Sequence, residues 1–577
     1  MRSVEERRFA LRDGTELFYR HWPAAEKGSE KKAVILLHRG HEHSGRMTHV
    51  AEELNLPGFA IFAWDARAHG RSGGVQDSGV TMSTFSSDLD EFVRHIAAEF
   101  DIVIPDIAVV AQSVGAVFAA AWVHDYAPPI RCLVLASPAF KVKLYVPFAR
   151  LGLTIWHALV GDFFVQSYVK GAALTHDKER AASYATDPLI KRPISARVLL
   201  GLYTTANRLI EDAQAIRVPT QLLLSGRDWV VHNKPQHDFF HRLGTSEKEL
   251  HTFDGFFHDT LGEKDRHLPI AKARAFILKY FDRPPIRESL LEADRKGYTH
   301  DEYQALRRPL PALHPKAINF ALTRLSMKAA GQHFSNGIRL GVETGFDSGA
   351  TLDYVYRNEP KGLTPIGKLV DWGYLNAIGW RGIRVRRRNL EGLIQKAIGL
   401  VRQAGLPARI VDIAAGHGRY VLEAGAEADH ILLRDFRVEN VNDGRKLIAE
   451  KKVPARFEQG DAFDRKSLAA LEPKPTIGIV SGLYELFPEN QLLRESLAGL
   501  AEAIPSGGYL IYTGQPWHPQ LEMIARTLTS HRDGQPWVMR RRTQGELDQL
   551  VEAAGFRKVD QRVDEWGIFT VSLAQRL

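Results

Sequence analysis

The sequence has very little cysteine, since Cys132 is the only one among 577 residues. One thiol cannot form a disulfide within the chain, and it cannot supply the several cysteines of a structural zinc site. Long hydrophobic runs are also missing. The most apolar stretch, residues 151–165, includes His157 and Asp162 and is shorter than the roughly 20 residues that cross a bilayer. The sequence therefore predicts neither a disulfide-rich nor a membrane-spanning protein.

Charge of one sign is not in strong excess. Lys and Arg total 76 and Asp and Glu total 68, which leaves a formal net charge of +8. No long run of Lys or Arg is present, so the charge pattern gives no support for nucleic acid as a partner. The first residues are polar and lack the apolar core of a signal peptide. We therefore expect a folded, cytoplasmic protein.

Two stretches of the chain alternate apolar runs with helical patterns, which is typical of α/β folds with a parallel sheet. The first stretch predicts a domain over residues 1–282. Residues 139–217 interrupt it with aromatic and apolar residues that predict a mostly helical insertion. The proline-rich residues 283–316 predict a linker. The pattern of residues 317–405 predicts helices, and this segment precedes the second α/β stretch.

A pentapeptide between a predicted strand and a predicted helix indicates a serine nucleophile. AQSVG at residues 111–115 is close to the G-x-S-x-G elbow, in which small residues flank a tight turn around Ser113. Farther along the chain, Asp228 follows a strand and His258 lies on a loop. Serine needs a base to accept its proton, and an acid orients that base. The order serine, acid, histidine is the one that this elbow requires.

The nucleophile also needs backbone N–H donors for a tetrahedral oxyanion. The candidates are Val114, directly after the serine, and Gly40 in the loop after an early strand. The same loop contains His38, His41 and His43, so a metal site is an alternative interpretation. No carboxylate accompanies these histidines at ligand spacing, which favours the oxyanion loop.

Residues 38–46 (HRGHEHSGR) and 65–72 (DARAHGRS), together with the serine, aspartate and histidine above, resemble an α/β-hydrolase. The resemblance is nearest to the monoacylglycerol lipase and lysophospholipase group and covers roughly residues 10–282. It implies a serine ester hydrolase with a lid over the nucleophile and a small-molecule acyl or lipid substrate. The sequence departs from this family at Arg39, where a glycine usually follows the histidine.

A second motif, DIAAGHG at residues 412–418, follows a predicted strand and precedes a helix. Glycines at such a turn let the backbone approach a ligand, and both dinucleotide and S-adenosyl-L-methionine sites use them. A pyrophosphate would be repelled by Asp412, whereas an ammonium and a sulfonium suit it. Asp412, Gly416 and Gly418 therefore favour S-adenosyl-L-methionine. An NAD enzyme is the alternative interpretation.

Acidic residues after the next two strands favour the same ligand. Asp435 ends the next strand, where a carboxylate can accept hydrogen bonds from ribose hydroxyls. Asp461 and Ala462 follow the third strand, where an acid and a neighbouring aromatic residue can hold adenine. The cofactor-binding core is expected over residues 406–577.

The end of the chain shows a further resemblance. A predicted helix at 546–555, a Gly-Phe pair and two strands match the way class I S-adenosylmethionine-dependent methyltransferases end their sheet, with a reversed last strand. The match implies a Rossmann-like second domain over residues 317–577, although Ala414 replaces the first glycine of the family motif. It also implies that Tyr484 and Glu485, after the fourth strand, contact the methyl acceptor.

The two resemblances together imply a bifunctional enzyme, a lipase-type serine hydrolase joined to a methyltransferase. An alternative is a methyltransferase whose hydrolase-like half is a weakly active module that binds a lipid or acyl compound. The arginines of residues 381–388 and 540–542 are expected either to be solvated or to form a surface for a phospholipid or another acidic substrate. We therefore include peripheral contact with the inner membrane face, while the sequence leaves the oligomeric state open.

Overall fold

The structure is a computed structural model, and it describes residues 2–25, 31–75, 79–146, 148–362, 364–532 and 534–577. The chain divides into two compact units, Met1–Glu288 and Ser289–Leu577. Each unit contains its own large sheet.

The first unit is built on an eight-stranded sheet. The strands of this unit are β1 (Glu5–Ala10), β2 (Glu16–Trp22), β3 (Ala33–Leu37), β4 (Ala60–Trp64), β5 (Ile107–Gln112), β6 (Cys132–Ala136), β7 (Phe164–Gln166), β8 (Pro193–Ser195), β9 (Thr220–Ser225) and β10 (Lys248–Phe253). Strands β7 and β8 form a separate two-stranded sheet. The order in the large sheet is β1-β2-β4-β3-β5-β6-β9-β10. Strand β2 is antiparallel to both neighbours, and the strands from β4 to β10 in this order are parallel.

Helices cover both faces of this sheet, because its central strands are apolar on both sides. The helices are α1 (Thr48–Glu53), α2 (Met82–Glu99), α3 (Val114–Tyr126), α4 (Ala149–Val160), α5 (Lys178–Thr186), α6 (Ala196–Glu211), α7 (Asn233–Arg242) and α8 (His267–Phe281). On one face, Val50 of α1 and Phe276 of α8 are buried with Val34 and Val110 of the sheet. The segment from α4 to α6 is the insertion between β6 and β9, and its β7–β8 pair was not predicted.

The second unit begins with helices and continues into a seven-stranded sheet. The strands are β11 (Arg409–Asp412), β12 (His430–Asp435), β13 (Ala455–Gln459), β14 (Ile477–Val480), β15 (Tyr509–Gly514), β16 (Phe556–Val563) and β17 (Thr570–Arg576). Their order is β13-β12-β11-β14-β15-β17-β16, and β17 is antiparallel to both neighbours. Strands β12 and β13 lie on one side of β11, and the later strands lie on the other side. The loop after β11 therefore lies at the point where the strand order reverses, which is where ligands bind in open α/β sheets.

The helices of the second unit fall into two groups. Those before the sheet are α9 (Tyr298–Arg307), α10 (Pro315–His333), α11 (Asn336–Thr344), α12 (Gly349–Arg357), α13 (Pro365–Leu375) and α14 (Ile378–Gln403). Those within the sheet domain are α15 (Arg419–Ala424), α16 (Val438–Lys451), α17 (Arg465–Ala469), α18 (Asn490–Ala503), α19 (Leu521–Thr527) and α20 (Gln544–Ala553). The apolar side of α14, including Leu393 and Ala397, is buried against the sheet.

The predicted fold class is confirmed in both halves, including the reversed last strand of the second sheet. The segment 283–316 differs from the expected linker, because α9 lies inside it and α10 begins at Pro315. Proline is compatible with the first turn of a helix, where its missing N–H would have no partner. The exact domain limits stay a prediction.

Candidate active sites

Ser113 lies at a strained turn between β5 and α3. Its backbone has φ 57° and ψ −117°, a conformation that non-glycine residues rarely adopt. A Cβ atom on Gly115 would lie 2.4 Å from the carbonyl oxygen of His38, so only glycine fits there. Gly115 is thus required by the close approach of the end of β3 and its following loop.

The three residues of the predicted triad are brought together. The Ser113 hydroxyl lies 2.7 Å from His258 Nε2, and His258 Nδ1 lies 2.8 Å from Asp228 Oδ2. Asp228 also accepts hydrogen bonds from the N–H groups of Val230 and Val231. Burial of the Asp228 carboxyl opposes its ionisation, but the His258 ring and these N–H groups outweigh it and lower its pKa. The arrangement suits a base that removes the serine proton while a carboxylate orients it.

The two candidate oxyanion donors lie side by side. A Cβ atom on Gly40 would be 3.1 Å from Val114 Cγ2, and both residues line one cavity with Ser113 and His258. This places the predicted oxyanion loop against the nucleophile elbow.

The neighbouring histidines are hydrogen-bonded to separate protein groups. His38 contacts the Arg39 carbonyl and the Ala66 N–H, His41 contacts the Lys191 carbonyl, and His43 contacts Asp187. The described part of the chain contains no group of three or more His, Cys, Asp or Glu side chains placed to hold a metal ion.

Arg39, the departure from the hydrolase pattern, is buried in an ion pair. Its guanidinium contacts both carboxylate oxygens of Glu42 and lies 3.5 Å from Asp259 Oδ2. Although burial opposes the charge, the two carboxylates raise the pKa of Arg39. The sequence reasoning missed Glu42 and Asp259, although each lies beside a predicted site residue.

The cavity at Ser113 has a volume of about 800 Å³ and is mainly apolar. The insertion forms part of its wall through Leu153, Trp156, Phe163, Val198 and Leu202. The predicted insertion residues do not all behave alike, because Phe140 is buried while Phe148, Leu151, Ile155 and Phe164 are exposed. Helix α4 therefore contributes to the cavity on one side and carries exposed apolar groups on another.

The glycine loop of the second unit has an open backbone. Gly416 and Gly418 have φ of 57° and 73°, which is the left-handed region. The nearest atom to a Cβ on Gly416 would be Gly349 Cα at 3.7 Å, whereas a Cβ on Gly418 would be 2.3 Å from Leu433 Cδ1. Gly416 thus leaves bare backbone facing α12, and Gly418 is needed for close packing on β12.

Asp412 lies beneath this loop rather than at its mouth. It is the last residue of β11, it is 0% exposed, and its carboxyl accepts hydrogen bonds from the Tyr420 hydroxyl and the Ala414 N–H. Burial raises the pKa of Asp412 to about 7. The Tyr420 hydroxyl of α15 occupies one oxygen of this carboxyl, and the direct contact of Asp412 with a cationic ligand stays a prediction.

Asp435 lies at the loop as expected. Its Oδ2 accepts a hydrogen bond from the Gly416 N–H at 2.9 Å, and Oδ1 accepts from Arg437 N and Asn440 Nδ2. It joins the end of β12 to the glycine turn. Each carboxylate oxygen has more than one lone pair, so Asp435 can still accept hydrogen bonds from ribose hydroxyls.

Asp461 and Ala462 follow β13. Asp461 is exposed and accepts a hydrogen bond from the Phe463 N–H, while Ala462 is buried. Phe463 packs edge-on against Phe487, with ring centroids 4.6 Å apart. An open-backbone glycine turn, a carboxylate after β12 and an acid beside an aromatic ring after β13 fit S-adenosyl-L-methionine.

A second cavity, of about 120 Å³, lies beyond the carboxyl ends of β14 and β15. Glu485 lines it, and its contact with the methyl acceptor stays a prediction. Tyr484 does not line it, because its side chain is 2% exposed and its hydroxyl bonds to Ser496 Oγ in the core. Sequence reasoning missed Arg386, Gln515 and His518, which also line this cavity.

Helix α12 connects this cavity to the glycine loop. Leu352 lines the cavity, Gly349 faces Gly416, and Asp353 forms an ion pair with Arg419 directly after the loop. The helical part before the sheet therefore covers the candidate cofactor site.

The two arginine clusters are not simple solvated surfaces. Arg386 is buried and lies 3.3 Å from Glu485, whereas Arg388 on the same helix is exposed. Arg540 and Arg542 are also buried, and both lie against Glu546. In the described ranges, no helix is both long and apolar enough to cross a membrane.

Comparison with known proteins separates the same two halves. Residues 273–576 match a family model described as "Putative methyltransferase", and residues 28–265 match one described as serine aminopeptidase, S33. An uncharacterized protein YnbC of Escherichia coli K12 is 54% identical over 573 residues, which is 98% of each chain.

The first half has relatives of its own. A monoacylglycerol lipase of Mycolicibacterium smegmatis is 25% identical over 280 residues, covering 48% of this chain and 97% of the lipase. A crystal structure of a soluble variant of Saccharomyces cerevisiae monoglyceride lipase aligns with 48% of this chain and 96% of its own, at 17% identity and a TM-score of 0.44.

Proposed function

Since the chain belongs to the methyltransferase family whose model spans just over half of it, and also has a lipase-like hydrolase domain, we propose an active site for each half of this bifunctional enzyme. The first is a serine ester hydrolase that acts on an acyl or lipid compound. The second transfers a methyl group from S-adenosyl-L-methionine to a small molecule.

The hydrolase proposal is supported above all by the hydrogen-bonded Ser113, His258 and Asp228. In it, His258 Nε2 takes the proton as Ser113 Oγ attacks the ester carbonyl, and Asp228 stabilises the resulting imidazolium. The N–H groups of Gly40 and Val114 stabilise the oxyanion. His258 then gives the proton to the leaving alcohol, and water releases the acid from the acyl-serine.

The substrate class follows from the cavity. Its volume of about 800 Å³ and apolar wall suit an acyl chain rather than a small polar ester. The exposed apolar residues of α4, such as Leu151, Ile155 and Leu159, support peripheral contact with a lipid surface. We place this contact at the inner face of the membrane, and the cytoplasmic location stays a prediction.

A fluorophosphonate probe with the full-length chain tests the hydrolase. We expect the wild type to be labelled and the Ser113→Ala variant to be unlabelled, because the probe reacts only with an activated serine. Ser246→Ala, which changes an exposed serine outside the cavity, is the matched control and should be labelled. A wild type that binds long-chain esters without labelling would instead support the binding-module alternative.

The methyltransferase proposal assigns roles to the residues around the glycine loop. The bare backbone at Gly416 admits the amino-acid portion of the ligand, Gly418 lets the loop pack closely on β12, and Asp435 accepts hydrogen bonds from the ribose hydroxyls. Asp461 and Ala462 border the adenine site, and Asp412 supports the loop from below through Ala414. When bound, S-adenosyl-L-methionine supplies an electrophilic methyl group. Glu485 belongs to the acceptor cavity.

Titration calorimetry with S-adenosyl-L-methionine and with NAD tests the cofactor. We expect saturable binding of the first and none of the second. Binding of NAD alone would establish the alternative interpretation and remove the methyltransferase role.

A further inference from the structure

Three side chains that line the acceptor cavity carry hydrogen-bond donors for which the described part of the chain offers no partner. Arg386 Nε, Gln515 Nε2 and Trp537 Nε1 are buried and find no hydrogen-bond partner among the described residues. Arg386 and Gln515 are themselves only 3% and 5% exposed. Since a buried unpaired donor costs free energy, a ligand that supplies acceptors at this position removes that cost.

His518 adds another donor. Its Nδ1 accepts a hydrogen bond from the Gln520 N–H at 3.0 Å, so the proton of the neutral ring is on Nε2. Burial lowers the pKa of His518 to about 4, which keeps the ring neutral near pH 7. With Nδ1 occupied and Nε2 protonated, this histidine cannot take a proton from a methyl acceptor.

The acceptors in the cavity wall are mostly used. Asp347 accepts hydrogen bonds from Ser530 Oγ and His531 N, and Glu485 Oε1 contacts Arg386. The exception is Glu485 Oε2, which has no hydrogen-bond partner within the described ranges. Burial raises the pKa of Glu485, and a proton on Oε2 would make it a further donor and leave the Arg386 charge without an anion.

From this excess of donors, together with the buried Arg386 guanidinium that faces only one oxygen of Glu485, we infer that the methyl acceptor is a small carboxylate with an apolar body. This inference rests on the proposed methyltransferase function. Arg386, Gln515 and His518 would hold the carboxylate, and Trp380, Met523 and Phe569 would contact the apolar body.

The chemistry of this acceptor needs no base. A carboxylate oxygen forms the bond to the methyl carbon while the carbon–sulfur bond breaks, and the bonding electron pair goes to the sulfur. A carboxylate and a sulfonium become a neutral methyl ester and a neutral thioether, and no proton moves. Opposite charges are neutralised in this step, which an apolar cavity favours over water. A hydroxyl acceptor would need a base that His518 does not provide.

The cavity also limits the size of the acceptor. Its volume of about 120 Å³ has room for about eight to twelve non-hydrogen atoms, given that one water takes about 10–15 Å³ on this scale. A whole long acyl chain does not fit inside it. Carboxylates of the size of benzoate, phenylacetate or hexanoate do.

The test uses those three carboxylates, each with its amide and its alcohol, so that only the head group changes. Binding and methyl transfer are both measured with the full-length Ser113→Ala variant, because an intact hydrolase would cleave a methyl ester product. Binding is measured by calorimetry with S-adenosylhomocysteine present, which has no methyl group to transfer. We expect at least one carboxylate to bind about tenfold or more tightly than its amide and alcohol. Transfer of a labelled methyl group should give the methyl ester of that acid only.

Three variants assign the effect to the cavity. Gln515→Leu and His518→Phe should each weaken carboxylate binding about tenfold without changing S-adenosylhomocysteine binding. Because Arg386→Met alone would leave Glu485 unpaired, the Arg386→Met/Glu485→Gln double variant is used for the arginine. Arg388→Met, on the exposed side of α14, is the control and should bind as the parent does.

Two results would overturn the inference in different ways. Normal cofactor binding with no head-group preference in all three series, or methylation of an alcohol, contradicts the carboxylate alone. Absence of S-adenosyl-L-methionine binding removes the proposed methyltransferase function, and the carboxylate inference with it.

Discussion

Arg180 in the insertion and Asp259, the residue after the triad histidine, form a buried ion pair with Nε 2.5 Å from Oδ2. Asp259 also lies 3.5 Å from Arg39 and accepts a hydrogen bond from Gln112, the residue before the nucleophile. Although burial opposes ionisation, the two arginines hold the pKa of Asp259 far below its usual range. One carboxylate therefore connects the insertion, the oxyanion loop, the elbow and the histidine loop.

Arg39→Met is expected to destabilise the hydrolase half by about 3–5 kcal/mol, because it leaves Glu42 and Asp259 short of a buried partner. Arg266→Met is the matched control. Its partner Glu53 is one-third exposed, and such a pair contributes about 0–1 kcal/mol. The measurement is the urea concentration at which half of the ester hydrolysis of each full-length variant is lost. Equal midpoints for both variants would show that the Arg39 network is not needed for stability.

The sequence predicts the parallel sheets well because their central strands are short and fully apolar. The all-apolar run Ala33–Leu37 forms β3, and the stretch Val114–Tyr126 after the elbow motif forms α3. The two N-terminal strands were missed. In Glu5–Ala10 burial alternates, but the first four residues are all charged, so no apolar run marks the strand.

The site residues that a local motif defines could be found, and those that packing supplies could not. Ser113 lies in a strained turn with its own sequence pattern, whereas Arg386 reaches Glu485 from a helix 99 positions away. The sequence also does not show which of two adjacent residues faces a site. Tyr484 and Glu485 share one short turn, and only the surrounding core determines that the first faces inward and the second faces the cavity.

The cavity predicts that hydrolysis depends on acyl length. We expect kcat/KM to rise from acetyl to about decanoyl esters, with each buried CH₂ contributing up to about 0.8 kcal/mol. A side chain at Gly152 would meet no atom within 4 Å, so Gly152→Phe should fill the cavity and flatten the profile. Leu159→Phe, at an exposed position of the same helix, is the control. A flat wild-type profile would instead indicate a small-substrate esterase or peptidase.

The glycine loop allows a matched pair of substitutions. Gly416→Leu should abolish S-adenosyl-L-methionine binding, because a side chain there fills the open side of the loop. Gly405→Leu imposes a similar left-handed strain, with φ of 73° and no atom within 4 Å of the new Cβ, but lies away from the loop. Calorimetric titration should show binding in the second variant only, and ester hydrolysis should be near normal in both. Binding by Gly416→Leu would contradict the assigned loop.

His124 predicts a pH dependence in the hydrolase half. It is buried, with Nδ1 2.7 Å from Asp125 and Nε2 2.8 Å from Asp212, while Arg208 lies 3.1 Å from Nδ1. Burial and Arg208 oppose its charge, but the two carboxylates outweigh them and raise the pKa of His124 above 6.5. Since the folded state holds this proton more tightly, the stabilisation is full below about pH 6.5 and is lost as the pH rises through the higher folded-state pKa.

Hydrogen exchange of the peptides that cover Val114–Tyr126 checks this, after correction for the chemical exchange rate at each pH. Protection in the wild type should fall as the pH rises above about 6.5, and His124→Gln should show a smaller fall because the titrating group is gone. His241→Gln, at an exposed position, is the control and should follow the wild type. An unchanged pH dependence in His124→Gln would show that other groups set it.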